Sequence, residues 1–182
     1  MELGDAILGR RSIREYQMRE VPMDLVRQVL EAATWAPSSK NEQQWRFTVL
    51  TGAAKSKFTG SFRKELQKTE RKIGLPAMGS AYSSCDIMEQ APVLIIVWNA
   101  GARGWETETH SVAAAIQNML LKAYSLGLGS LWIGDIFYAS DAVRAYFGKP
   151  WRLMAAVSIG WPAGPPLPRT RKSLEEVAEF MS

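Results

Sequence analysis

The stretch PVLIIVW at residues 92–98 is continuously apolar and rich in β-branched side chains. Successive side chains of a strand point to opposite faces, so an unbroken apolar run marks a strand buried on both. Other elements are read around it. Residues 2–9 form a short helix with Leu3, Ile7 and Leu8 on its apolar side, and Pro22 stands where a helix can start. From Met23 to Trp35, Leu25, Val26, Val29, Leu30 and Ala33 recur at helical spacing until Pro37 stops the pattern. WRFTVLT (45–51) reads as a strand, 53–73 as a helix with a Lys- and Arg-rich solvent face, and 74–85 as a loop or lid. Residues 106–126 are apolar almost all round, which predicts a helix buried in a core or under a partner subunit, and Gly127 and Gly129 end it. A short strand at 130–134, a helix at 140–147, a strand at 152–162 and a Pro-rich loop at 162–168 follow. Ser173 and Glu176 have capping-box spacing for a C-terminal helix. Alternating helices and strands predict an α+β or α/β layered fold, and the 182 residues suit one domain over 1–182.

Composition removes several kinds of chemistry. Cys85 is the sole cysteine and His110 the sole histidine, so an internal disulfide, a cysteine metal cluster and most hydrolytic metal sites are excluded. His110 would have to be the base of any Ser or Cys triad, and it reads instead as a solvated residue near a helix start. The N-terminus lacks a signal-type apolar region and no apolar run is long enough for a bilayer, so the expectation is a cytosolic chain with no membrane partner. GLGSLWIG (127–134) has Trp132 where a dinucleotide fingerprint needs glycine, and it follows a helix rather than a strand. A Rossmann nicotinamide site is therefore rejected.

Two arginine clusters remain, Arg10, Arg11 and Arg14 around Ser12, and Arg169, Arg171 and Lys172. The net charge of +4 is modest, and tight local clusters suit a small polyanion better than a nucleic acid. Guanidinium forks with a hydroxyl among them suit a phosphate. PSSKNEQQW (37–45) adds Asn and Gln side chains able to read the edge of a heterocycle. Together these residues point to a phosphorylated aromatic cofactor.

RRSIREY, VLEAATWAPSSKNEQQWRF, APVLIIV, SVAAAIQNMLLKAYSLGLGSLWIG and RTRKSLEEV stand in an order that resembles the nitroreductase-like flavoproteins, from about residue 8 to 180. The resemblance implies an FMN-binding α+β fold, with a central, mostly antiparallel sheet flanked by helices, and an intertwined homodimer with cofactor sites at the subunit interface. It places the flavin-holding Arg-x-Ser-x-Arg motif on Arg10, Ser12 and Arg14, with Arg11 between them. Pro37, Ser38, Ser39 and Asn41 would reach the flavin from the other subunit. The turn against flavin N5 would be Trp132, Ile133 and Gly134, and the late phosphate-gripping pair Arg169 and Arg171. The implied activity is hydride transfer from NADH or NADPH to N5, then to an electron-poor acceptor such as a nitroaromatic, quinone or activated alkene, in a ping-pong sequence. No protein acid, base or nucleophile is required, because the flavin carries the chemistry. Relatives of this fold also dehalogenate aromatics or fragment flavin, and a lid within residues 60–90 would suit the former; a flavin-binding protein without turnover and a basic interaction module are the remaining alternatives. Two departures from the family pattern concern the substrate. Gln44 replaces a frequent Pro before Trp45, and Asp135 follows the N5 turn where Gly or an apolar residue is more ordinary.

Overall fold

A computed structural model describes residues 1–73, 78–166 and 168–181. Four strands form one antiparallel sheet: β1 (Trp45–Thr51), β2 (Val93–Asn99), β3 (Gly129–Ile133) and β4 (Arg152–Gly160), in the order β1-β2-β4-β3. The helices are α1 (Leu3–Gly9), α2 (Met23–Thr34), α3 (Gly52–Ile73), α4 (Gly79–Gln90), α5 (Glu106–Ser125) and α6 (Ser140–Phe147). The fold is α+β.

β2 is buried along its whole length, and its alternation explains the layering. Val93, Ile95 and Val97 face a core closed by α2 and α5, with Val26, Val29, Ile116 and Met119. Leu94, Ile96 and Trp98 face a second core closed by α3, α4 and α6, with Phe58, Phe62, Leu66, Met88 and Val143. Each fully buried side chain of this size contributes about 1.5–3 kcal/mol, so the strand joins two cores of comparable weight. At Trp98 an aromatic group gathers: its ring meets Phe147 edge-on at 5.7 Å, and Phe147 lies 5.0 Å from Phe58. The indole N–H donates to Thr48 Oγ1 at 3.0 Å.

α2 and α5 form where the apolar spacing predicts them, but α5 is not buried all round in the single chain: one stripe is buried, from Glu108 and Ser111 to Met119 and Ala123, while Ala113, Ala114 and Leu121 are half-buried and His110 and Gln117 are exposed. Gly127, with φ of 75°, takes the left-handed turn that releases the chain from α5 into β3.

Three further expectations change. The segment 79–90 is not a loop but helix α4, with Met78, Ala81, Cys85 and Met88 packed into the second core; residues 74–77 of that expectation lie outside the described residues. Those side chains sit three or four positions apart, a helical stripe diluted by five small or polar residues in 79–84. On α1 only Ala6 is buried, and Leu3, Ile7 and Leu8 face outward. The C-terminal segment makes a single turn at Leu174–Val177 rather than a helix. Its capping contact is present, with the Ser173 N–H donating to Glu176 Oε2 at 2.9 Å, but Leu174, Val177 and Phe180 have nothing to pack on. A cap without a buried face cannot offset the cost of helix nucleation. Finally, α3 has the expected basic solvent face, except that Lys55 turns inward to donate to Glu89 O and to Ala91 O at 2.6 Å.

Candidate functional site

Residues 10–16 leave α1 and run beside β3 as a short parallel strand-like segment. Ser12 bridges Ser130, and the Ile13 N–H donates to Ser130 O at 3.0 Å. Ile13 and Tyr16 point in, while Ser12, Arg14 and Glu15 point out, so the strand-like alternation holds only from Ser12 to Arg14. The buried Tyr16 hydroxyl donates to Ile13 O at 3.0 Å and shares a 2.8 Å hydrogen bond with Ser158 Oγ of β4. Burial pushes this phenol well above its ordinary pKa, which keeps it a neutral strut. The segment lies tightly against the sheet because β3 begins with glycine. A Cβ on Gly129 would come within 2.9 Å of Ile13 Cβ and 2.7 Å of its Cγ1. Ile13 is β-branched and buried, so it cannot swing away. We therefore expect Gly129→Ala to lift residues 10–14 off β3 and weaken anion binding at the arginines roughly tenfold, about 1.4 kcal/mol; titration with inorganic phosphate, read by thermal shift, measures it.

The docked segment presents its arginines to a cavity of about 540 Å³, and the C-terminal segment supplies the other wall. Arg10, Arg11, Ser12 and Arg14 line one side, Arg169 and Arg171 the other, with Gly164, Pro165 and Pro166 forming the floor between them. Clusters about 160 residues apart in sequence thus converge on one space. Glu15 is the one acidic residue among those lining it, and none of the five arginines forms an ion pair among the described residues. Arg11 is partly committed to structure, donating to Leu8 O and to Arg10 O at 2.8 Å, which closes the C-terminal end of α1. Arg10 is partly buried, and burial, then the charges of Arg171 and Arg11, push its guanidinium below its ordinary pKa. Like charges held together without counterions are what an anion site requires.

Arg14 also lines a second, adjoining cavity of about 380 Å³. Its walls are Trp132, Ile133, Gly134 and Asp135 at the end of β3, and Ser80, Ser83, Ser84 and Ile87 on α4. Trp132 is 40% exposed there, an unusual position for an indole and a ready stacking surface. The α4 residues are site components that a loop reading of 74–85 hides. The signal that finds them is the helical spacing of Met78, Ala81, Cys85 and Met88, which puts the serines on the opposite face.

Pro37, Ser38, Ser39 and Asn41 do not line either cavity. They sit beyond β1, which starts opposite Asn99 and, across β2, Arg152, whereas Ser12 lies beside the Ile159 end of β4. That is about seven residues along β4, on the order of 23 Å. The segment has its own built geometry. Lys40, Asn41 and Gln43 all have positive φ, at 52°, 56° and 52°. Ser38 Oγ accepts from the Gln43 N–H at 3.1 Å, and the Ser39 N–H donates to Ser111 Oγ of α5 at 3.0 Å. Three left-handed non-glycine residues in four positions cost on the order of 1 kcal/mol each, strain of the kind that collects at functional loops. At the same end, Gln44 is buried, its Nε2 donating to Glu42 Oε2 at 3.2 Å while its Oε1 has no partner among the described residues.

Nucleophilic chemistry finds little support here. Burial pushes the Cys85 thiol up to about 11, and His110 is exposed on the first turns of α5. Among the described residues no group of three His, Cys, Asp or Glu side chains could hold a metal ion, and no helix is long and apolar enough to cross a membrane.

The nitroreductase family model matches residues 7–161. A protein of Methanothermobacter thermautotrophicus, whose provisional name pairs NADH dehydrogenase with NAD(P)H nitroreductase, is 34% identical over 91% of this chain and 80% of its own. A Desulfovibrio desulfuricans protein, provisionally described as a nitroreductase and crystallised in complex with FMN, superposes with a TM-score of 0.79 at 28% identity, over 100% of this chain and 99% of its own. A nitroreductase-like family protein from Bacillus cereus shares the fold with a TM-score of 0.84 at 24% identity, covering 100% and 96% of the two chains. The chain belongs to the nitroreductase family.

Proposed function

We propose that this chain is an FMN-dependent oxidoreductase that takes hydride from NADH or NADPH and works as a homodimer. The observation that carries the reading is the convergence of Arg10, Arg11, Arg14, Arg169 and Arg171 on one cavity without ion-pair partners among the described residues. The residues fit the group: a phosphate answers the uncompensated arginines, and the adjoining cavity with Trp132 offers an aromatic wall to a ring system. Bound there, the flavin would supply hydride transfer to an electron-poor acceptor, such as a nitroaromatic, quinone or activated alkene, in two half-reactions.

In this reading Arg10, Arg169 and Arg171 grip the phosphate, and Arg11 assists while closing α1. Ser12 and Arg14 continue along the flavin, with Arg14 placing positive charge where negative charge develops on reduction. Trp132, Ile133 and Gly134 line the reacting edge, and Ser80 and Ser84 wall the acceptor side in the position a lid would take. Pro37, Ser38, Ser39 and Asn41 complete the site of the partner subunit, for which their distance from their own chain's arginines is the argument. A partner would also cover Leu3, Ile7, Leu8, Leu174, Val177 and Phe180, all exposed in the single chain. The relatives' names support NAD(P)H as donor. We further propose a single domain and a cytosolic location, the latter from the lone thiol at Cys85.

The test is an absorption spectrum of the protein purified without added cofactor, with identification of what denaturation releases. A yellow protein that yields FMN and bleaches anaerobically with NADH or NADPH is the expected result. FMN that never bleaches would make the chain a flavin carrier, and a colourless protein that ignores added FMN would overturn the reading.

A further inference from the structure

The departure from the family pattern at Asp135 acquires a setting in the structure. Asp135 opens a short 3-10 turn directly after Gly134 and lines the second cavity. Its carboxylate is held from α4 on both oxygens: Ser84 Oγ donates to Oδ2 at 2.7 Å and Ser80 Oγ donates to Oδ1 at 3.4 Å. No Lys or Arg pairs with it among the described residues. Two hydroxyl donors one helical turn apart fix the direction of the carboxylate, yet neither neutralises it. Ionised oxygens can accept about four hydrogen bonds, so two of these positions remain free.

Among the described residues lining this cavity, only Arg14 and Asp135 are charged. The Ser12–Ser130 bridge is parallel, which brings Arg14 abreast of Trp132, three residues before Asp135. The two charges therefore share one aromatic-walled space with Trp132. Under the oxidoreductase reading, on which this inference rests, Arg14 is engaged by the flavin. Asp135 is then the free charge that an incoming acceptor meets.

We propose that Asp135 is a specificity-determining residue that sets the charge selectivity of the acceptor. The cavity takes electron-poor aromatics carrying a cationic or hydrogen-donating substituent and turns away those carrying a carboxylate or sulfonate. Ser80 and Ser84 are the positioning residues that hold the charge in place. Like and unlike charges a few ångströms from a carboxylate in a partly shielded cavity separate in occupancy by about tenfold or more.

The experiment uses the FMN-loaded protein with three acceptors of one shape: 4-nitrobenzylamine, 4-nitrobenzamide and 4-nitrobenzoate. The unaltered protein is expected to show kcat/KM falling in that order, with the benzoate about tenfold or more below the benzamide. Asp135→Asn keeps the shape and removes the charge, so the benzamide-to-benzoate ratio should collapse towards one. Ser84→Ala keeps the charge, so the order should persist with a smaller ratio. Flavin content and bleaching by NADH or NADPH are read first on each protein, and a chain that never takes up FMN fails the oxidoreductase reading on that measurement. Calorimetric titration of the unaltered FMN-loaded protein with benzamidine and with benzoate, which need no turnover, supplies an independent readout; benzamidine should bind about tenfold or more tightly. Benzoate binding as well as benzamidine, or an Asp135→Asn ratio within twofold of the unaltered one, would overturn the proposal.

Discussion

Replacing Arg10 with alanine should weaken FMN binding by about 10- to 100-fold while leaving the cofactor-free protein as stable as before, or more so. Two effects of opposite sign produce this result. A charge-assisted hydrogen bond to phosphate contributes ~1.5–3 kcal/mol, which is lost on truncation. In the empty protein, by contrast, Arg10 is a partly buried cation pressed by Arg171 and Arg11, and its removal relieves both burial and repulsion. Arg171→Ala should lose affinity to a similar degree, since both residues line the same cavity and the charge of Arg171 acts on Arg10. A flavin fluorescence titration and a melt of the apo-protein together decide the matter. If both variants retain full flavin occupancy at sub-micromolar concentration, the arginines hold something other than this phosphate. An ordinary solvated arginine would change neither readout.

Trp98→Ala should be the most destabilising of the substitutions considered, by about 4 kcal/mol, or ~10 °C in melting temperature for a chain of this size. The side chain is wholly buried on β2, its ring edge-packed on Phe147 and its N–H engaged by Thr48. Truncation would leave a cavity bounded by a sheet on one side and three helices on the other, and neither can collapse into it freely. Trp98→Phe keeps most of the apolar contact and loses the hydrogen bond to a half-exposed threonine hydroxyl, which water can replace; its cost should be less than about half that of alanine. Urea unfolding of both variants measures the difference. Equal losses would mean that the hydrogen bond, and not the packing, holds this position.

The sheet could be read from residues 92–98 because burial on both faces leaves a signal in composition itself, and α2 and α5 because their apolar stripes are long. Where the reading failed, the signal was weak for a physical reason. The inward residues of α4 are separated by glycine and serine, residues that favour turns until a core supplies the reason to be helical. The tail beyond Ser173 carries a start signal for a helix, but a start signal does not supply a surface to pack on. Arginines at the two ends of the chain were legible as two clusters, yet only the docking of residues 10–16 on β3 and β4 brings them to one cavity. Local sequence contains no trace of that long-range pairing. Likewise, Asp135 stood out as an oddity in the sequence, and its partners Ser80 and Ser84 emerged only with α4.

The doubly buried strand β2 has a further consequence for how such a chain can change. Side chains at odd and even positions of β2 never touch, yet each fixes the same backbone from its own side. A substitution that shifts the strand towards α5 withdraws it from α3, so histories of change on the two faces are coupled through a path that no side-chain contact map contains. The arginine segment hangs from β3 and β4, and β4 pairs directly with that strand. Its freedom to vary is therefore bounded by residues on a strand that never meets the cavity.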